Sequence, residues 1–208
     1  MIMLITSLDK YIKVRKGAIH VGAHEGEERH WYRKMGFSPV IWFEPSKSVY
    51  ERLVKNLENF PDQIPYNRGV HDTLEVAKLY IASNDGQSSS LLPLGTHAKH
   101  HPDVKYVSTE KVELVRLDKI FSFIKVDDFN FLNIDVQGVE LNVIRSAGDY
   151  IKYFDYIYTE VNTEYVYEGC SLLSEIDEYL KRYDFIRVKT HMTKAGWGDA
   201  FYKKYQNG

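Results

Sequence analysis

The sequence predicts an α/β fold, a mostly parallel sheet that closes on an antiparallel hairpin at its C-terminal end. Three observations carry this. Short apolar strands alternate with amphipathic helices along the chain, the pattern of a mostly parallel sheet. Glycines Gly22 and Gly26 open a helix directly after the first strand. Single acids stand at the ends of later strands, Asp135 above all. Polar groups at the carboxyl ends of strands are where open α/β sheets place their chemistry.

The elements follow in order. Ala18 to Val21 reads as a short strand and Glu25 to Met35 as a helix with Trp31 and Met35 on one face. Pro39 to Phe43 is a second strand. Ser46 or Ser48 can cap the next helix, whose buried stripe is Val49, Leu53 and Leu57 at i, i+4, i+8. Gln63 to Val70 is a weaker strand, and Val76 to Ala82 another with antiparallel character. Asn84 to Asp103 is polar and loop-like and carries His97, His100 and His101. Lys111 to Val115 alternates like a strand, and Leu117 to Ile124 has helical spacing. Phe129 to Asp135 is the fourth core strand. Leu141, Ile144 and Ala147 face the following helix inward, and Gly148 can end it. Phe154 to Val161 is a strand that carries Glu160, with Asn162 just after it. Leu172 to Tyr183 is the final helix. Phe185 to Lys189 and Ala200 to Tyr205 then pair as a hairpin around HMTKAGWGD.

A length of 208 residues fits one domain spanning residues 1–208. The net charge of -2 gives no electrostatic footprint for nucleic acid. The single cysteine, Cys170, cannot form an internal disulfide, which fits a reducing, cytoplasmic compartment. The apolar run after Met1 is too short for a signal peptide core or a membrane span. Sixteen tyrosines supply flat faces with polar tips, which suit polar ligands such as sugars, although ordinary core and surface usage explains them too.

The chemistry gathers at the strand ends. Gly22, Ala23, His24, Glu25 and Gly26 form a strand–helix turn in which glycine lets the backbone approach a ligand. The spacing is G-x-x-x-G and not the G-x-G-x-x-G of dinucleotide enzymes. Glu44 ends the second strand 22 residues after Gly22 and is placed to accept hydrogen bonds from both ribose hydroxyls. Asp135 follows an apolar strand, where an unpaired carboxylate is costly. Three roles are open to it: general base, ligand for a hard cation, or acceptor for a cofactor ammonium. Glu160 ends the adjacent strand, and two such carboxylates can share Mg²⁺. Glu140 reads as a solvated or capping residue. His20 reads as structural. His97, His100 and His101 read as a solvated loop. His191 lies near a strand end and is a candidate base.

These residues resemble the FkbM-type methyltransferases, a branch of the class I S-adenosylmethionine-dependent enzymes. The resemblance rests on VGAHEGEE (21–28), WFEPS (42–46), SSSLL (88–92), RLDKIF (116–121), NIDVQGVE (133–140) and WGDAFY (197–202), and it covers residues 17–205. One departure is His20, where many class I enzymes carry an acid. The resemblance implies a Rossmann-like, doubly wound, seven-stranded sheet with helices on both faces. It implies S-adenosylmethionine as cofactor, held by Gly22, Ala23, His24 and Gly26 at its methionine part, by Glu44 and Pro45 at its ribose, and by Asp135 and Val136. It also implies an oxygen acceptor, a hydroxyl of a sugar, glycan or polyketide. Asp135 is then the first candidate for catalysis, with Glu160 and His191 as partners, and Asp135 and Glu160 are candidate Mg²⁺ ligands. The segment Ser88 to Ser90 and the region Tyr165 to Tyr167 are placed to shape the acceptor pocket.

Three other readings compete. A nucleic-acid methyltransferase of this fold commonly carries Pro-Pro and an aromatic after the fourth strand, where this chain reads DVQG. A nicotinamide-dependent oxidoreductase is disfavoured by the glycine spacing. A binding module without catalysis has no evident need for Glu44 and Asp135.

Overall fold

The structure is a computed structural model that describes residues 5–73 and 75–205. The expectation drawn from the first apolar run falls mostly on residues 1–4, outside the described residues. Among the described residues no helix is long and apolar enough to cross a membrane.

A seven-stranded sheet forms the centre. Its strands are β1 (Gly17–Val21), β2 (Val40–Phe43), β3 (Gln63–Tyr66), β7 (Phe129–Ile134), β8 (Tyr156–Asn162), β9 (Phe185–Met192) and β10 (Trp197–Lys204). They lie in the order β3-β2-β1-β7-β8-β10-β9. The first five are mutually parallel, and β10 runs antiparallel to both β8 and β9. From β1 the chain winds outward to β2 and β3. It later returns to the other side of β1 and winds outward again through β7 and β8. The sheet is therefore doubly wound, with its switch point between β1 and β7.

Strands β1, β2, β7 and β8 are buried along their whole length, their apolar residues interrupted by the buried polar side chains of His20, Asn130, Asn133, Thr159, Glu160 and Asn162. Alternate side chains serve opposite faces. Ile19, Ile41, Leu132, Ile134 and Ile157 pack under helices α4 (Leu117–Phe121), α5 (Glu140–Ser146) and α6 (Leu173–Lys181). Ala18, Val40, Trp42, Phe131 and Tyr158 pack on the other face. There they meet Leu8 and Ile12 near the N-terminus, Trp31 and Tyr32 of α1 (Arg29–Met35), and Leu53 and Leu57 of α2 (Lys47–Leu57). Each large apolar side chain so buried contributes roughly 1.5–3 kcal/mol.

Several elements differ from the expectation. Helix α1 begins at Arg29 and not at Glu25, because His24 (φ 45°) and Gly26 (φ 72°) take left-handed conformations that a helix cannot contain. Residues 63–70 form two strands. Strand β3 joins the large sheet, while β4 (Gly69–Val70) enters a second sheet of order β4-β6-β5, with β5 (Val76–Ala82) antiparallel to β6 (Tyr106–Val115). At the break, the Asn67 side-chain amide donates to the backbone carbonyls of Glu44 (2.9 Å) and Pro45 (3.0 Å). The polar stretch between β5 and β6 holds a short helix, α3 (His97–His100). It is tied down where Gly95 and His97 donate backbone hydrogen bonds to the carbonyl of Val166. The second sheet and this stretch roof the carboxyl ends of β1, β2 and β7.

The C-terminal hairpin is present and longer than expected. Strand β9 reaches Met192, and β10 starts at Trp197, so Trp197 and Asp199 lie in a strand and not in the turn.

Candidate active site

The two motifs meet at the switch point. Gly22 and Ala23 donate their backbone N–H groups to the carbonyl of Phe43, both at 3.0 Å, and Asp135 donates its N–H to the carbonyl of Val21 at 2.9 Å. Gly22 adopts φ 82°, and a Cβ there would lie 1.7 Å from the carbonyl oxygen of Asp135. Only glycine fits between these strand ends.

Glu44 is buried and turned back toward the glycine turn. Its carboxylate accepts the backbone N–H of His24 (3.0 Å) on one oxygen and that of Ser46 (2.9 Å) on the other. Burial outweighs these bonds and pushes the carboxyl up to about 7. His24 has its Nδ1 2.7 Å from Glu27 Oε1 and its Nε2 3.1 Å from the carbonyl of Asp85 in the roof. The bond to Glu27 is the largest cause raising this imidazole to about 9, so both ring nitrogens donate at neutral pH. Ser46 does not cap α2 through its hydroxyl, which goes instead to Glu110 at 3.0 Å.

Asp135 and Glu160 come together through Gln137. The Gln137 amide nitrogen donates to Asp135 Oδ1 at 2.5 Å and to Glu160 Oε2 at 2.9 Å. Its oxygen accepts the Tyr167 hydroxyl at 2.5 Å, which fixes the amide so that nitrogen faces the two acids. Asp135 is open to the cavity, and the loss of bulk water around it there raises its carboxyl, while burial together with the charge of Asp135 raises Glu160 far more. Glu140 is buried and not solvated. One of its oxygens accepts the N–H of Gly138 at 2.8 Å, the other has no partner among the described residues, and burial lifts it to about 7.

This donor set does not fit the Mg²⁺ expected at Asp135 and Glu160. A hard cation takes oxygen ligands, and the position between these two carboxylates holds an amide nitrogen. Among the described residues no group of three or more His, Cys, Asp or Glu side chains is arranged to hold a metal ion.

These groups line a cavity of 630 Å³ under the roof, within the range of small-molecule sites, roughly 300–1,000 Å³. Gly22, Ala23, His24, Glu44, Pro45, Asp135, Val136 and Glu160 all line it, as do Ser88, Ser89, Val166 and Tyr167. Gly26 and His191 do not. A Cβ on Gly26 would meet Leu53, so this glycine serves the packing of α2. His191 lies on edge strand β9 opposite Asp199.

Other lining residues escaped the sequence reading. Glu27 and Glu28 entered the wall because the helix starts late. His97 is buried, though its polar context read as solvated. Tyr158, Trp197 and Asp199 line the far end. The signal for Asp199 was the pairing of β10 with β8, which sets it opposite Glu160. His20 is buried at the floor. Its Nδ1 lies 3.2 Å from the Tyr32 hydroxyl and 3.3 Å from Asn133 Nδ2, its ring stacks on Trp42, and burial drives it down to about 3, hence neutral.

Known proteins share this architecture and sequence. Residues 20–187 match the Methyltransferase FkbM domain. The chain is 22% identical over 175 residues to the 2-O-methyltransferase NoeI of Sinorhizobium fredii (strain NBRC 101917 / NGR234), covering 81% of this chain and 72% of that protein. Sp1610 of Streptococcus pneumoniae, a proposed tRNA (m1A22) methyltransferase solved with S-adenosyl-L-methionine, superposes with a TM-score of 0.56 at 10% identity. That match covers 100% of this chain and 75% of Sp1610. The ribosomal protein L11 methylase of Lactobacillus delbrueckii subsp. bulgaricus gives 0.52 at 10% identity, over 97% of this chain and 77% of the methylase. These structures share the Rossmann-like fold of class I methyltransferases. With its domain match spanning most of the sequence, the chain belongs to the FkbM methyltransferase family.

Proposed function

We propose that this methyltransferase moves a methyl group from S-adenosyl-L-methionine to a hydroxyl of a sugar or glycan, through one catalytic domain spanning residues 1–208. The observation that carries the oxygen acceptor is the similarity to NoeI, a 2-O-methyltransferase. In this reading Gly22, Ala23 and His24 lie along the methionine part of the cofactor. Glu44 takes the ribose hydroxyls, with Pro45 and Val136 walling the cofactor.

The cofactor supplies an already electrophilic methyl, so the chain's task is alignment and proton removal. A hydroxyl oxygen attacks the methyl carbon as the carbon–sulfur bond breaks, and the hydroxyl proton leaves to a base. Asp135 is that base, at the switch point between the cofactor end and the acceptor end. The environment that raises Asp135 makes it a better proton acceptor than a solvated aspartate. Gln137 holds it against Glu160 and fixes the direction in which its free oxygen points.

Calorimetry with S-adenosylhomocysteine tests the cofactor half, with micromolar binding expected. Mass spectrometry of products from a panel of sugars and glycans tests the acceptor half, with a gain of one methyl group on oxygen expected. Cofactor binding without methylation of any hydroxyl compound removes the proposal.

A further inference from the structure

The end of the cavity beyond Asp135 has a chemical character of its own. Glu160 and Asp199 are register partners across β8 and β10, so their side chains share one face of the sheet. Tyr158, two residues before Glu160, lies on that face as well, and all three line the cavity. Trp197, two residues before Asp199, adds a partly exposed indole to the same wall. From the roof, His97 closes over this end. It is 6% exposed, its ring lies 5.6 Å from that of Tyr167, and its Nδ1 has no hydrogen-bond partner among the described residues. A buried polar atom left unpaired marks a place where a partner is missing.

The charge pattern is one-sided. Glu27, Glu28, Glu44, Asp135, Glu160 and Asp199 line the cavity, and among the described lining residues there is no lysine or arginine. The imidazole of His24, held in its charged form, is spent on Glu27 and the Asp85 carbonyl at the cofactor end. His97 is pushed toward its neutral form by burial and by its neighbours His101 and His100.

We infer that the acceptor end takes an uncharged, polyhydroxylated ring and excludes acceptors bearing phosphate, sulfate or carboxylate, nucleotide-linked sugars included. The inference rests on the proposed methylation of hydroxyl groups and narrows its substrate class. Carboxyl oxygens at Glu160 and Asp199 accept hydrogen bonds from hydroxyls whether or not they are ionised, and the Trp197 ring offers an apolar face to the C–H side of a sugar. A phosphate carries ~1.5–2 negative charges and finds no counter-charge here. Sites that recognise phosphate use Arg, Lys or clustered backbone N–H groups.

The test is a set of matched acceptor pairs assayed by methyl transfer: methyl glycosides against the same sugars as phosphates and as nucleoside-diphosphate sugars. The expected result is at least tenfold higher kcat/KM for the uncharged member. Preference for the phosphate or the nucleotide-linked member overturns the inference and leaves sugar O-methylation standing. No turnover of any sugar form removes the sugar reading. The charge inference is then decided by hydroxy acids against their methyl esters, where preference for the free acid overturns it. Two variants locate the effect. Asp199→Lys is expected to narrow the uncharged-to-phosphorylated ratio at least fivefold, and His97→Ala to raise the acceptor KM about fivefold. Both should keep S-adenosylhomocysteine affinity within twofold, and an unchanged ratio and KM would overturn this placement of the acceptor.

Discussion

Gly22 and Asp135 are in backbone contact: a single added carbon on the glycine would lie 1.7 Å from the carbonyl oxygen of the aspartate. The residue that bends the chain after β1 is thus the one that lets β7 deliver its acid beside the glycine turn. The two motifs are 113 positions apart in sequence, yet they form one piece of the site.

Gly22→Ala tests that contact. The left-handed backbone costs about 1–2 kcal/mol and the clash about 1–3 kcal/mol more. The expected outcome is a loss of several degrees or more in Tm, with weakened cofactor binding in whatever folds. Differential scanning calorimetry decides it, and a wild-type Tm would show that the strand ends can part freely.

Glu44→Gln removes an acceptor that two backbone N–H groups already orient. Hydrogen bonds to a charged group are worth about 1.5–3 kcal/mol. S-adenosylhomocysteine should therefore bind roughly 10- to 100-fold more weakly by calorimetry. The Tm should fall as well, by the equivalent of about 1–3 kcal/mol of stability, for the backbone N–H left facing the new amide nitrogen. Unchanged affinity would place the ribose elsewhere.

Activity should be indifferent to chelation. With the Gln137 amide seated between Asp135 and Glu160, EDTA is expected to change turnover by less than twofold. A large loss restored by Mg²⁺ would mean that Gln137 swings away. Gln137→Glu sets a third carboxylate beside the buried Glu160 and the cavity-facing Asp135, and should lower both Tm and kcat.

Stability of the cofactor-free protein should fall with rising pH, most clearly from about pH 6.5 to pH 9. Glu28, Glu44 and Glu140 are each raised to about 7 in the folded state from an ordinary 4.5, chiefly by burial. The folded chain therefore holds more protons than the unfolded chain between these values, and stability declines as pH rises through them. His24 has the same sign in a later window. Its stabilisation is complete below 6.5 and is lost as pH rises through about 9. His20, driven down to about 3, and His71 and His97, also lowered by burial, act in the opposite sense up to about pH 6.5. Glu27 and Asp118, held below their ordinary 4.5 and 3.8, do so at more acid pH. Thermal denaturation across this range measures the slope, and Glu28→Gln should flatten its lower half.

His191→Ala should leave kcat within about threefold of wild type. The imidazole stands on edge strand β9, and it is not among the described residues lining the cavity. A hundredfold loss in methyl transfer would return it to the reaction.

By itself the sequence determined the alternation of strands and helices, the C-terminal hairpin, and the strand-end positions of Gly22, Glu44 and Asp135, whereas Glu160, expected at a strand end, lies inside β8, which runs on to Asn162. These are local properties: apolar periodicity, glycine turns, and acids that interrupt apolar runs. Only the tertiary structure decided which side chains face one another. The left-handed turns at His24 and Gly26 shortened α1 and moved Glu27 and Glu28 into the wall. Register between β8 and β10 put Asp199 opposite Glu160 and His191 on the edge beyond it. Docking of the roof buried His97 within a segment whose composition is that of a solvated loop. Gln137, part of a motif plain in the sequence, took the place between two acids that a cation was expected to hold. Periodicity along a chain reports how each residue sits on its own strand or helix. Pairing, register and docking are contacts between distant segments, and they set the chemistry of the site.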